Sequence, residues 1–155
     1  MKIKVYADTI CGWCYIGHSR LLKAISNFEN ISFDVEHIPF QLNPDMPKRG
    51  IHRLDYLKSK FGSKEAAQPM YDSMVAEAIK ENLKFNLDKI QVTPNTRLSH
   101  ILTKLAFTKK IGHQVLSKIY NSYFSKGENI GDADILISIG KSQNISEKEI
   151  IDSFA

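Results

Sequence analysis

The chain opens on a strict alternation. In Met1-Lys2-Ile3-Lys4-Val5-Tyr6-Ala7-Asp8 the apolar Ile3, Val5 and Ala7 interleave with Lys2, Lys4 and Tyr6, the period of a strand with one face toward a core. From Gly12 to Phe28 the period lengthens. Leu21, Leu22, Ile25 and Phe28 share one helical face, and Asn27 to Asn30 supplies a turn-rich stop. Alternation returns over Ile31-Ser32-Phe33-Asp34-Val35-Glu36 and runs through His37-Ile38-Pro39-Phe40. Strand, helix and strand with short connections predict a right-handed βαβ unit whose strands are parallel neighbours.

After that unit the strand period does not recur. Gln41 to Gly50, with Pro44, Pro47, Asn43, Asp45 and Gly50, reads as an irregular loop. Helices follow: Arg53 to Phe61, ended by Gly62, and Glu65 to Glu81 with Met70, Met74 and Ala78 flanked by Tyr71, Val75 and Ile79. Pro94 and Asn95 open a segment striped by Leu98, Ile101, Leu102 and Leu105. Val115, Leu116, Ile119, Tyr120 and Tyr123 form the next stripe before Gly127, and Asp132 starts a helix through Ile135, Leu136 and Ile139. Ser146-Glu147-Lys148-Glu149 is a capping box for a last helix carrying Ile150, Ile151 and Phe154. The methionine and aromatic stripes read as helix packing. Nothing repeats and nothing is of low complexity.

Composition narrows the class. The chain has 155 residues, 43% hydrophobic and 25% charged, enough for one soluble domain with a core and too apolar for a disordered tail. No apolar run approaches the roughly 20 residues of a membrane span. The formal charge of +4 is scattered along the chain, so no basic groove for nucleic acid is visible. The N-terminus is a strand and not a signal peptide, which makes the cytoplasm the expected compartment. Asn30-Ile31-Ser32 and Asn144-Ile145-Ser146 match the glycosylation pattern by chance. Nucleotide-binding, zinc-protease and serine-hydrolase motifs are absent. Asp132 and Asp134 read as helix-start caps.

Chemistry concentrates at the two cysteines. Cys11-Gly12-Trp13-Cys14 follows a predicted strand and opens a predicted helix, the setting in which C-x-x-C is a dithiol redox centre. Free N–H groups and the positive end of the helix dipole favour the thiolate of Cys11, the nucleophile; Cys14, one turn on, is the resolving thiol. Gly12 and Trp13 add no charge between them. Two other readings stand beside this one: a zinc site that adds His18 and His37 to the cysteines, with spacings unlike the usual ones, and a pair of inert buried thiols. His18, His52, His100 and His113 read as surface or helix-end histidines.

These residues resemble a known family. Asp8-Thr9-Ile10-Cys11-Gly12-Trp13-Cys14-Tyr15-Ile16-Gly17, Arg20-Leu21, Pro39-Phe40-Gln41-Leu42-Asn43-Pro44-Asp45, Tyr56-Leu57, Lys60-Phe61-Gly62, Asn95-Thr96, Ser99-His100, Tyr123-Phe124, Gly127 and Asn129-Ile130 are similar to the DsbA-like thioredoxin-fold proteins, and within them to the FrnE type of dithiol-disulfide oxidoreductase or isomerase. The resemblance implies an α/β thioredoxin-like fold with a large all-helical insertion over the dithiol: residues 1–44 as the βαβ part, 45–145 as the insertion and 146–155 as the start of a return helix. It also implies thiol-disulfide exchange through Cys11 and Cys14, without a bound cofactor or metal, on a protein or small-molecule substrate, with glutathione as one possible substrate. Gly12 stands where proline is commoner. Kappa-class glutathione transferases and 2-hydroxychromene-2-carboxylate isomerases share the superfamily but carry a serine at the position of Cys11.

The family's closing strands and the cis-proline before them have no counterpart, because Pro39, Pro44, Pro47, Pro69 and Pro94 all lie before or inside the helical region. The expectation is a piece of a longer protein or a homodimer whose second copy covers the open sheet edge. A thioredoxin-like remnant with an idle dithiol, acting as an interaction module, is the alternative function.

Overall fold

A computed structural model describes all residues from Met1 to Ala155. The order of elements follows the predicted periodicities. Strand β1 (Lys2–Ala7) leads into helix α1 (Gly12–Ser26) and strand β2 (Asp34–Pro39). β1 and β2 pair in parallel from Lys2 opposite Asp34 to Ala7 opposite Pro39, as the alternation requires. The second strand begins at Asp34 and not at Ile31.

The rest is helical: α2 (Arg53–Phe61), α3 (Lys64–Lys80), α4 (Arg97–Thr108), α5 (Gly112–Asn121), α6 (Ala133–Lys141) and α7 (Glu147–Phe154). The capping box at Ser146 is formed from both sides, by the Ser146 hydroxyl and the Glu149 carboxylate. Two short strands appear that periodicity does not announce. β3 (Ile51–His52) pairs antiparallel with β4 (Val92–Thr93) and ties the start of α2 to the start of the helical bundle. Gly50 enters this ladder at φ +76°, with the Thr93 carbonyl so near that a Cβ would meet it, so only glycine fits there.

The core lies in the helical part. Leu102, Ala106, Val115, Leu116, Ile119, Tyr120, Leu136 and Ile150 are fully shielded from solvent. α1 is anchored to this core through Tyr15, whose ring stacks on Tyr120 at 4.9 Å, on Phe85 at 5.7 Å and on Phe124 at 6.0 Å. On its other side α1 packs Ile16 against Met74 and Ala78 of α3. After Asn121 the backbone widens into one π turn (Ser122–Lys126), closed by Gly127 in the left-handed region. That turn carries the buried Tyr123 and Phe124 toward α1. No helix is long and apolar enough to cross a membrane.

Candidate functional site

Cys11 is the residue preceding α1, in extended conformation at φ −92° and ψ 110°, and its sulfur accepts a hydrogen bond from the Cys14 backbone N–H at 3.3 Å. A strand ends, a helix begins, and unpaired N–H groups of the first turn point at this one sulfur. Both thiols are free and half-buried. The hydrogen bond from the Cys14 thiol holds Cys11 well below the usual thiol range, at about 7, with the backbone N–H groups of Cys14 and Trp13 adding to the effect and burial opposing it. Cys14 is pushed far upward, first because it donates to Cys11 and then by burial and the charge on Cys11. One cysteine is therefore thiolate-forming near neutrality and its neighbour is a protonated thiol, the division of labour a nucleophile and a resolving group need.

The loop between β1 and α1 is clamped from below by α4. Thr9 and Ser99 share a hydrogen bond of 2.7 Å, and both are fully buried. The Asp8 carboxylate, 1% exposed, accepts the Leu42 N–H at 2.7 Å and faces His100 Nε2 at 3.1 Å. Nε2 also faces the Phe40 carbonyl at 3.2 Å. Both neighbours are acceptors, so Nε2 carries the proton and donates. Tyr120 donates to the Asp8 carbonyl at 3.4 Å. His100 is thus an interior residue 4% exposed, and the expectation of a surface histidine fails there. It fails for His18 as well: that ring is buried, with Nε2 2.9 Å from the Ser117 hydroxyl. His18 lies 5.5 Å from the His113 ring, and His37 and His113 both pack on Phe107. The two histidines considered as zinc partners of the dithiol belong to this separate aromatic cluster. His52 is exposed, as expected.

A cavity of about 220 Å³ adjoins the dithiol, and its lining brings Cys11, Gly12 and the half-exposed Trp13 together with Arg53, Tyr71 and Tyr123. A larger cavity of about 560 Å³, lined by α2, α3 and residues 85–91, shares Arg53 and Tyr71 but has no cysteine in its lining. Gly12 is buried where a Cβ would overlap the Met74 sulfur and touch the Phe85 ring, so α1 starts tightly against α3. The sequence pointed to the dithiol; it did not single out Arg53, Tyr71 or Tyr123, which come from three separate elements.

A parallel βαβ unit that presents a half-buried cysteine pair at the mouth of its helix, under a helical roof, is a thioredoxin-like dithiol architecture. The chain belongs to the DSBA-like thioredoxin domain family, whose model matches residues 2–155. It is 27% identical over 141 residues to the uncharacterized protein YwbO of Bacillus subtilis (strain 168), an alignment spanning 91% of this chain and 65% of that protein's length. Among solved structures, the probable DsbA oxidoreductase SCO1869 of Streptomyces coelicolor superposes with a TM-score of 0.88 at 26% identity, over 99% of this chain and 67% of that one. The cytosolic disulfide reductase DsbM of Pseudomonas aeruginosa, in a structure with GSH, shares the fold at a TM-score of 0.66 and 16% identity, over 99% and 71%.

Proposed function

We propose that this protein is a thiol-disulfide oxidoreductase of FrnE type, acting through Cys11 and Cys14 in the cytoplasm. The observation that carries the proposal is the asymmetry of the pair: a Cys11 thiol lowered to about 7 at a helix start, and a Cys14 thiol raised beside it. The Cys11 thiolate attacks one sulfur of a substrate disulfide, the substrate S–S bond breaks, and the first substrate thiolate leaves. Cys14 then gives its proton to a departing thiolate and attacks Cys11 Sγ. The Cys11–Cys14 disulfide forms and the second substrate thiol is released. The protein loses two electrons and the substrate gains them; the reverse sequence oxidises a dithiol. A thiol such as glutathione is a proposed recycling partner, supported only by its presence with a protein of the same fold.

Two measurements test this. Alkylation of Cys11 by iodoacetamide should rise with pH to half its plateau near pH 7, and Cys14→Ser should accumulate a mixed disulfide on Cys11 that intact mass detects. A Cys11 that titrates as an ordinary thiol, near about 8.5, with no mixed disulfide, would leave the idle interaction module as the better reading. The cysteine at position 11 speaks against the serine-based isomerase and transferase chemistry of the superfamily.

A further inference from the structure

Besides Cys11, the dithiol cavity is lined by an unusual collection of donors. The Arg53 guanidinium gives one N–H to the Thr93 hydroxyl at 3.2 Å and another to the Tyr71 hydroxyl at 2.8 Å, and it lies over the rings of Tyr56 and Tyr71 at 5.6 and 5.3 Å. It enters none of the protein's ion pairs. Of its five N–H groups, at least three remain to donate. Lys60, on the same cavity, holds only the Tyr56 hydroxyl at 2.8 Å, and no Asp or Glu lines the space.

The second observation is independent. Tyr123 is 1% exposed and lines the cavity, yet its hydroxyl has no hydrogen-bond partner. Its surroundings are Arg53, Tyr71, Tyr56 and Thr93; the Thr93 hydroxyl is near it without closing a hydrogen bond of good geometry. Burial pushes the phenol up to about 12, so it stays an O–H donor at neutral pH. A buried donor without an acceptor is destabilising. Arg53 cannot relieve it, having no acceptor of its own. A carboxylate oxygen placed between Arg53 and Tyr123 satisfies both.

We propose that Arg53, Tyr71, Thr93 and Tyr123 form a carboxylate subsite that selects low-molecular-weight disulfides bearing an acidic group and seats them for attack by Cys11. The subsite rests on the dithiol reading above and adds the substrate's chemical class to it. Arg53 and Cys11 line the same cavity without a hydrogen bond between them, so Arg53 is left to hold a substrate's acidic end while Cys11 takes its sulfur. A guanidinium is suited to this, since it can meet a carboxylate with two parallel N–H groups.

The test uses three symmetrical disulfides that differ in their end groups: 3,3′-dithiodipropionate (acidic), bis(2-hydroxyethyl) disulfide (neutral) and cystamine (basic). Each is reduced by the fully reduced protein, two thiols oxidised for one disulfide cleaved, and followed by the fluorescence of Trp13, the single tryptophan. Each rate is divided by that of a free small thiol with the same disulfide. The acidic compound should lead the neutral one by about tenfold or more, as a charge-assisted pair allows, with cystamine slowest. Arg53→Gln should bring the acid-to-neutral ratio to about one. Because Arg53 also ties α2 to α3 and β4, Tyr123→Phe is the second variant: it should cut the ratio several-fold while leaving the urea midpoint unchanged or higher, a combination that a structural role for the hydroxyl does not produce. Equal normalised rates for all three disulfides overturn the subsite. If none reacts, the dithiol reading fails, and calorimetric titration with redox-inert 3,3′-thiodipropionate decides the subsite alone: binding weakened tenfold or more by Arg53→Gln supports it, and no detectable binding overturns it.

Discussion

His100 donates its Nε2 proton to the carboxylate of Asp8 at 3.1 Å across 92 positions of sequence, beneath the cysteine pair. Asp8 is the negative charge that opposes ionisation of both Cys11 and Cys14. Asp8→Asn keeps an oxygen for the Leu42 N–H but removes that charge. It should lower the Cys11 thiol further, read as an earlier rise of thiolate absorbance with pH. Each unit of lowering makes the dithiol about 30 mV more oxidising. His100→Ala keeps the charge and removes the donor; it should cost about 1–3 kcal/mol of stability without lowering the thiol. Thiolate titrations of the two variants moving together would refute the assignment of the effect to the Asp8 charge.

Gly12 sits where the chemistry tolerates almost any residue and the packing does not. A Cβ there overlaps the Met74 sulfur and meets the Phe85 ring. Gly12→Ala should therefore lose about 1–3 kcal/mol, the usual cost of overfilling a packed site. The overlap is with the end of a flexible side chain, so removing it should recover part of the loss. In a double-mutant cycle, Gly12→Ala with Met74→Ala should be more stable than the sum of the single variants by about 1 kcal/mol. Strict additivity in urea unfolding would show that the two residues do not oppose each other. A proline at position 12 fits the first helical position by its fixed φ, yet here its ring would face the same sulfur.

The parts of the molecule readable from sequence are those with a repeating local signal. β1 alternates over its six residues and β2 over its first four, the helices carry continuous stripes, and C-x-x-C fixes both thiols by spacing alone. The β3 and β4 ladder has two residues in each strand, too few for a period, and its halves are 40 positions apart. Tyr123 was legible as the last member of an apolar stripe, which hides the fact that a π turn leaves its hydroxyl facing Arg53 and Tyr71. A lone histidine on a helix has no period either. Asp8 with His100 and Thr9 with Ser99 are buried polar pairs made only by tertiary folding, and their members carry no mark of burial in the sequence.

The histidines around Phe107 make the fold sensitive to mild acid. Burial first, then the charges of neighbouring histidines, lower His18 and His37 to about 4, and burial lowers His113 in the same direction. In the unfolded chain each titrates near about 6.5. Between these values the unfolded state binds more protons than the native state, so stability falls as pH drops below about 6.5 and levels off only near pH 4. For His18 and His37 together the loss between pH 7 and pH 5 should be of order 3 kcal/mol. Carboxylates held low by lysines, such as Glu149 at about 2, lose their contribution in a separate window below the ordinary carboxylate range. His37→Leu tests the assignment: Nδ1 of His37 is buried without a partner, so the substitution removes a proton-binding site while sparing the packing on Phe107. Its urea midpoint should change less between pH 7 and pH 5 than that of the parent, and an unchanged slope would place the acid sensitivity elsewhere.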